Sequence, residues 1–286
     1  MKTSILIPAY NEASSVRATV ERVRAACDAA SMDYEIIVID DGSSDGTAEQ
    51  ARLPGVQVLQ HPANAGYGRA LKTGLKQASG EWIGIADADG SYPVEVLPKL
   101  FEQVPKFDMV VGARTGEYYR GSVGKWWGRK SLEAMVHFVT GVWVADVNSG
   151  LRVFKKSIAL DNITRIGNGF SFTTTLTLAM LLESHFVDYT PIEYLPRVGR
   201  SHVKLGRDTL RTMQILAMAI VAYNPIKMFL LLSYIALIGL VPCLALDAII
   251  SGGVHAGVIA AVLLGTSLLL FAFGLVTDVL RRIPST

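Results

Sequence analysis

The C-terminal end of the chain limits the fold most. Ile226–Ile250 and Val254–Val276 are two long apolar stretches separated by the breaker Ser251-Gly252-Gly253. From Ile226 to Leu280 the only ionisable residues are Lys227, Tyr234, Cys243, Asp247, His255 and Asp278. A helix rises 1.5 Å per residue, so about 20 apolar residues cross a bilayer core. Both stretches reach that length, and a soluble core seldom needs two such helices side by side. The sequence therefore predicts a transmembrane hairpin over 225–286, with helices near 226–250 and 254–278. Pro242 is tolerable inside a membrane helix. Arg207 and Arg211 precede the first stretch, Arg281-Arg282 follow the second, and the turn between them has no lysine or arginine. Cationic flanks stay in the cytoplasm, so a multi-pass protein of the cell membrane with a cytoplasmic catalytic part is expected. Gly252, Gly253, Gly257 and Gly265 form a small-residue face on which a homo-oligomer could pack.

Upstream of Asn224-Pro225 the composition changes. Charged residues are 18% of the whole chain, against about 25% in a typical soluble domain, and the deficit sits in the C-terminal segment. Residues 1–205 are enough for one domain. Short apolar runs at Ser4–Pro8, Tyr34–Asp40, Val56–Gln60, Glu81–Ala86 and Met109–Ala113 read as strands. Ala13–Ala30, Gly46–Arg52 and Gly68–Ala78 read as helices between them. Alternation of this kind predicts an α/β fold with a mainly parallel sheet covered on both faces. Ligands then bind beyond the carboxyl ends of the strands.

Two further segments have two readings each. Tyr118–Gly141 carries Trp126-Trp127 beside Lys125, Arg129 and Lys130. That pattern suits a membrane interface, and a lid or core helix fits equally. Residues 206–224 place Arg207, Asp208, Arg211 and Gln214 among apolar residues. They predict an amphipathic juxtamembrane helix that lies in the interface or docks on the domain.

Several classes are excluded. With a net charge of +2 and no lysine–arginine run, nucleic acid is not an expected partner. Ile5-Leu6-Ile7 is cut by Pro8 and is too short for a secretory signal. Cys27 and Cys243 have no metal or redox spacing. Gly66-Tyr67-Gly68 lies near the third strand and lacks a timely third glycine, which argues against a nicotinamide cofactor.

The polar clusters lie at the strand ends. Asp87-Ala88-Asp89 offers two carboxylates after a buried strand, a pair that can share one Mg²⁺ or Mn²⁺. A diphosphate leaving group calls for such a cation. Asp40-Asp41-Gly42-Ser43-Ser44-Asp45-Gly46-Thr47 combines acceptors with turn-forming glycines. Asp40 and Asp41 read as ligand contacts and Asp45 as a helix cap. In Pro8-Ala9-Tyr10-Asn11-Glu12, Tyr10 could flank a base and Glu12 a ribose. Together these place carboxylates on the tips of two strands taken as neighbours, with a pyrophosphate between them.

Read in order over residues 4–204, these segments resemble the family 2 glycosyltransferases, in particular the dolichol-phosphate-mannose-synthase-like, polyprenyl-phosphate branch. The resemblance rests on Ile5–Glu12, Ile37–Thr47, Asn64–Ala70, Asp87–Gly90, Val111–Arg114, Asp146 with Ser149–Arg152, and Arg197–Ser201. It implies a GT-A fold and a membrane-bound enzyme that moves one sugar from a UDP- or GDP-sugar to a polyprenyl phosphate. It implies that Pro8, Tyr10, Glu12, Asp40 and Asp41 hold the nucleoside. Asp87, Ala88, Asp89, Arg197 and Lys204 would meet the rest of the donor, with Asp87, Asp89 and Ser91 at the divalent cation. Arg114, Arg129, Ser131 and Asp146 would lie on the acceptor side, with Asp89, Arg114 and Arg129 closest to the chemistry. The chain departs from the pattern at Ser91, where relatives often have glutamine, at His202, where they have lysine, and at Thr173-Thr174-Thr175, where they often have a carboxylate. It lacks the Gln-x-x-Arg-Trp motif of processive synthases, which favours a single transfer. A hydroxyl acceptor, such as a diacylglycerol or lipid-linked sugar, would need a base, for which Asp146 is the available residue. A non-catalytic scaffold is the remaining alternative.

Overall fold

The structure, a computed structural model, describes residues 2–120, 123–169, 171–196, 214, 217, 225–251 and 253–282. It divides into two compact units, Met1–Thr212 and Met213–Thr286. Most of the expected juxtamembrane helix, and with it Arg197, His202 and Lys204, lies outside the described residues.

The first unit is built on a seven-stranded sheet in the order β3-β2-β1-β4-β6-β5-β7. Strands β1 (Lys2–Ala9), β2 (Asp33–Asp40), β3 (Val56–Gln60) and β4 (Trp82–Ile85) run parallel. Their apolar runs are continuous because both faces are covered. On β1, Ile5 and Ile7 join one core with Val16, Val20 and Val23 of α1 (Val16–Ala29), while Leu6 joins the other with Leu71 and Leu75 of α3 (Tyr67–Gln77). The alternation of strand side chains thus feeds two cores.

The other half is mixed. β5 (Met109–Thr115) is not beside β4, because β6 (Arg152–Lys155) inserts between them and runs antiparallel to both. β7 (Val187–Glu193) closes the edge, parallel to β5. The expectation of neighbouring acidic strands also needs correcting. β2 and β4 each pair with β1 and not with each other, so their tips stand two strand spacings apart, about 10 Å. The end of β1 lies between them. Beyond β5 come α5 (Glu117–Arg120) and α6 (Val123–Thr140), and α8 (Phe172–Leu182) covers the second core.

The second unit is a helical hairpin, α9 (Pro225–Ser251) and α10 (Ala256–Arg282). Both helices are long and apolar enough to cross a membrane. Their large apolar side chains point outward, with Ile249 81% and Leu268 68% exposed, the reverse of a soluble helix pair. The Ser233 hydroxyl lies 2.8 Å from that of Ser267. Gly274 lets Phe229 pack where a side chain would clash. At the turn, the His255 N–H donates to Asp247 Oδ2 (3.1 Å), so the one carboxylate deep in the apolar run caps the second helix.

Candidate active site

The parallel half presents carboxylates held by backbone and hydroxyl groups. Asp40 ends β2 opposite Ala9 and is fully buried. Its Oδ1 accepts the Ser43 N–H (3.1 Å), while its Oδ2 is buried and has no hydrogen-bond partner among the described residues. An orphan acceptor of this kind is costly, and a ligand donor would satisfy it. The turn that follows depends on Gly42, which has φ +74° and would place a Cβ 2.5 Å from the Ala63 backbone. The loops after β1 and β2 are stitched together. The Asn11 N–H donates to Ser43 Oγ (2.9 Å), the Ser44 N–H to Asn11 Oδ1 (3.0 Å) and the Glu12 N–H to Thr47 Oγ1 (2.8 Å). Asp45 accepts the N–H groups of Thr47 and Ala13 (both 3.1 Å), but Gly46, and not Asp45, holds the N-cap position of the helix Thr47–Ala51. Glu12 is buried and accepts the Ser15 hydroxyl (2.9 Å). Pro8 is buried within β1 and Tyr10 is partly exposed just beyond it.

Asp41 has a different task from the ligand contact expected of it. Its Oδ1 accepts the Ala65 N–H (3.0 Å) and its Oδ2 the Gly66 N–H (2.7 Å), and His61 Nδ1 lies 2.7 Å from Oδ1. Both oxygens therefore hold the loop that enters α3. An open cleft of about 370 Å³ lies beside this loop, lined by Gly42, Ser43, Gln60, His61 and Pro62. It is offset toward β3 from the corner that carries Asp87 and Asp89.

That corner follows β4. The Thr19 hydroxyl donates to the Ala88 carbonyl (3.1 Å) and pins the loop to α1. Asp89 Oδ1 accepts both the N–H (3.0 Å) and the hydroxyl (2.6 Å) of Ser91. The Ser91 hydroxyl thus orients Asp89, where direct coordination of the cation was expected. Asp87 Oδ1 accepts the Tyr67 hydroxyl (2.8 Å). Its other oxygen packs on Gly150, where a Cβ would come within 2.4 Å. Burial, followed by Asp87, pushes the Tyr67 pKa well above its ordinary value, so the phenol stays a donor. Among the described residues no three His, Cys, Asp or Glu side chains gather to enclose a metal. Asp87 and Asp89 instead form a two-carboxylate edge of hard oxygen donors, each with one oxygen fixed by a hydroxyl. This suits a Mg²⁺ or Mn²⁺ ion that completes its shell with water and phosphate.

The mixed half presents cations. Arg114 follows the buried part of β5 and meets Asp146 in a bidentate pair, Nε to Oδ2 at 2.7 Å and Nη2 to Oδ1 at 3.0 Å. Asp146 also accepts the N–H groups of Arg114 (3.2 Å) and Asn148 (3.1 Å). Burial alone would lower the Arg114 pKa, but Tyr92 and Asp146 outweigh it and hold the guanidinium charged. Among the described residues its Nη1 has no partner. The guanidinium lies 4.9 Å from the centre of the Tyr119 ring and 5.5 Å from that of Tyr194. Arg129, from α6, lies 4.4 Å from the same Tyr119 ring. Ser131 is exposed on α6.

Beneath these groups lies a buried cation the sequence reading left unassigned. Arg152 is fully buried and donates to the carbonyls of Ser149 (2.9 Å), Val147 (3.2 Å) and Thr173 (3.1 Å) and to the Thr177 hydroxyl (2.9 Å). It ties the loop carrying Asp146 to the first turns of α8, where Thr173 supplies a carbonyl and Thr177 a hydroxyl. Tyr67, Tyr92, Gly150 and Tyr119 were also missed. Tyr67 and Gly150 lie in the segments Asn64–Ala70 and Ser149–Arg152 that carry the family resemblance, while Tyr92 and Tyr119 have no sequence signal. The structure gives Gly66 and Gly68 a packing purpose. A Cβ on Gly66 or Gly68 would come within 2.8 or 2.3 Å of the 167–168 backbone.

In sequence the chain is 35% identical over 165 residues to the undecaprenyl-phosphate 4-deoxy-4-formamido-L-arabinose transferase of Aeromonas hydrophila subsp. hydrophila, covering 54% of this chain. This chain spans about half (49%) of that relative's length. The enzyme of the same name from Pseudomonas fluorescens is 31% identical over 239 residues, 71% of this chain and 70% of the relative. In structure it resembles the glucosyl-3-phosphoglycerate synthase of Mycobacterium tuberculosis, solved with Mn²⁺ and uridine diphosphate, at a TM-score of 0.62. That match covers 76% of this chain and 79% of the other at 20% identity, and shows a shared GT-A-like fold. The model of glycosyl transferase family 2 matches residues 4–163. With the sheet order, the paired strand-end carboxylates and these matches in agreement, the chain belongs to glycosyltransferase family 2.

Proposed function

We propose that the protein is a membrane-anchored transferase that moves one sugar from a nucleoside-diphosphate sugar to a polyprenyl monophosphate, with inversion at the anomeric carbon. The observation that carries this reading is the Arg114–Asp146 pair. Asp146 is saturated by four hydrogen bonds, so it has no lone pair in position to take a proton from an attacking hydroxyl. Among the described residues, the acceptor side therefore offers charge, and the one carboxylate beside Arg114 is occupied. An acceptor that needs no base fits it, and a phosphate monoester, with a second pKa near 6, is dianionic near neutral pH. The hydroxyl-acceptor reading loses its base by the same observation.

On the donor side, the unpartnered Asp40 oxygen would accept a donor from the base or ribose. Asp87 and Asp89 would hold the divalent cation, which when bound neutralises charge on the departing diphosphate. Arg114 and Arg129 would orient the acceptor phosphate for in-line attack, so catalysis rests on positioning and charge neutralisation. The transferases similar to this chain are named for undecaprenyl phosphate, which supports the acceptor class.

Two observations support the membrane part. The outward apolar faces of α9 and α10 need a lipid environment. Apart from Phe186, the large exposed apolar side chains of the first unit, among the described residues, all lie between Tyr118 and Trp143. Trp127, Ala134 and Phe138 recur along the exposed face of α6, with Val142 and Trp143 just beyond it. Aromatic residues beside Arg129 and Lys130 match the headgroup layer. This favours the interface reading of the segment over a lid or core helix. Arg129 then shares a helix with side chains suited to lipid.

The test is incubation of the purified protein with labelled UDP- and GDP-sugars and polyprenyl phosphate, with and without Mg²⁺ or Mn²⁺, followed by lipid extraction. Cation-dependent label in the lipid from one donor is expected. Label in polyprenol or diacylglycerol, and none in polyprenyl phosphate, would refute the reading.

A further inference from the structure

We propose that Tyr119 is a positioning residue that assembles the acceptor-phosphate site by holding two guanidinium groups on one ring. The inference rests on the phosphate-acceptor reading and deepens it. Arg114 comes from β5 and Arg129 from α6, elements that a bilayer-facing helix would otherwise let move independently. The Tyr119 ring takes Arg114 at 4.9 Å and Arg129 at 4.4 Å, both within the roughly 6 Å range of a cation–π contact. The two cations are thereby kept within about 9 Å of each other. Like charges at such range repel, and the ring's negative face offsets part of that cost. Asp146 pairs with Arg114 through a bidentate contact. Glu133, the other carboxylate facing Tyr119, already pairs with Lys130 at 2.6 Å. Arg114 Nη1, which makes no hydrogen bond among the described residues, remains available to a ligand.

The contact uses the ring and not the hydroxyl. The phenol keeps its proton, since its pKa is pushed up to about 12, first by burial and then by Asp146. Tyr119→Phe should therefore preserve the site and Tyr119→Leu should open it.

The experiment uses the full chain in lipid nanodiscs, in two arms. The first measures KM for polyprenyl phosphate and for the nucleotide-sugar separately. Tyr119→Leu should raise the acceptor KM at least tenfold and leave the donor KM within twofold, while Tyr119→Phe stays within twofold of wild type on both. A merely structural role would move both constants and lower the Tm, and the Phe variant would not rescue selectively. The second arm titrates a short-chain prenyl monophosphate against the fluorescence of the tryptophans on and beside α6. Tyr119→Leu should weaken that binding tenfold. If wild-type protein binds no prenyl phosphate, both this inference and the proposed function fall. If it binds prenyl phosphate and Tyr119→Leu binds it equally well, only the role of Tyr119 is overturned.

Discussion

The two halves of the sheet solve opposite electrostatic problems. In the parallel half, buried carboxylates are steadied by neutral donors: Ser43 on Asp40, Ser91 on Asp89 and Tyr67 on Asp87. Such an arrangement fixes negatively charged oxygens at the strand ends, as hard-oxygen coordination of a cation requires. In the mixed half, arginines are steadied by a carboxylate and by aromatic rings. Guanidinium groups gathered in this way suit an anion. The end of β1 lies between the tips of β2 and β4, while the antiparallel β6 joins the halves. Arg152 sits on β6, opposite Ile85 of β4 and Val111 of β5. On the proposed reading, a fold that brings two polyanions together needs both solutions, since one polarity alone would repel either the metal or the phosphates.

The comparison breaks most visibly at Asp89. Asp89→Ala should cut transfer by roughly a thousandfold, as expected when a charge-stabilising group is lost, and leave the Tm nearly unchanged. Wild-type rates in that variant would remove the cation from the account. Arg114→Met comes next, with about a hundredfold loss in kcat/KM for the acceptor. It should also destabilise the fold by about 3 kcal/mol, because Asp146 is then buried without its partner. Adding Asp146→Asn should restore the Tm and not the activity, which separates charge pairing from chemistry. Asp40→Asn should raise the donor KM by about tenfold, the scale of one hydrogen bond to a charged group, and leave the acceptor KM alone. An equal effect on both substrates would mean that the halves do not divide the work.

The smallest expected effect lies at the far end of β2. Burial alone would raise the Glu35 pKa, but hydrogen bonds from Ser4 and Ser79 outweigh it and bring it below its ordinary value of 4.5. A depressed carboxylate stabilises the fold fully above pH 4.5, and the contribution is lost as pH falls toward the folded value. Thermal melts should lose stability less steeply with acid in Glu35→Gln than in wild type. Transfer at pH 7 should be the same in both.

Five strands were legible because each is a continuous apolar run ending at a polar turn. β6 was not, since its four residues begin with a buried arginine. β7 was not, since it is half-exposed and contains Pro191. The carboxylates of the parallel half could be read directly, because strand ends announce themselves. The pairing of Arg114 with Asp146, 32 residues away, and of Tyr67 with Asp87 exists only once β6 and α3 are packed. Asp41 illustrates the limit in the other direction. Its sequence context matches that of Asp40, and only the fold reveals that the Ala65 and Gly66 N–H groups occupy it.

The central claim is that the acceptor supplies its own nucleophile to a site without a base. Its most direct test is the pH dependence of kcat/KM for polyprenyl phosphate. The account predicts a rise to a plateau with an apparent pKa near 6, the second ionisation of a phosphate monoester, unchanged in Asp146→Asn. A profile still climbing above pH 8, or comparable turnover of the unphosphorylated polyprenol, would contradict it.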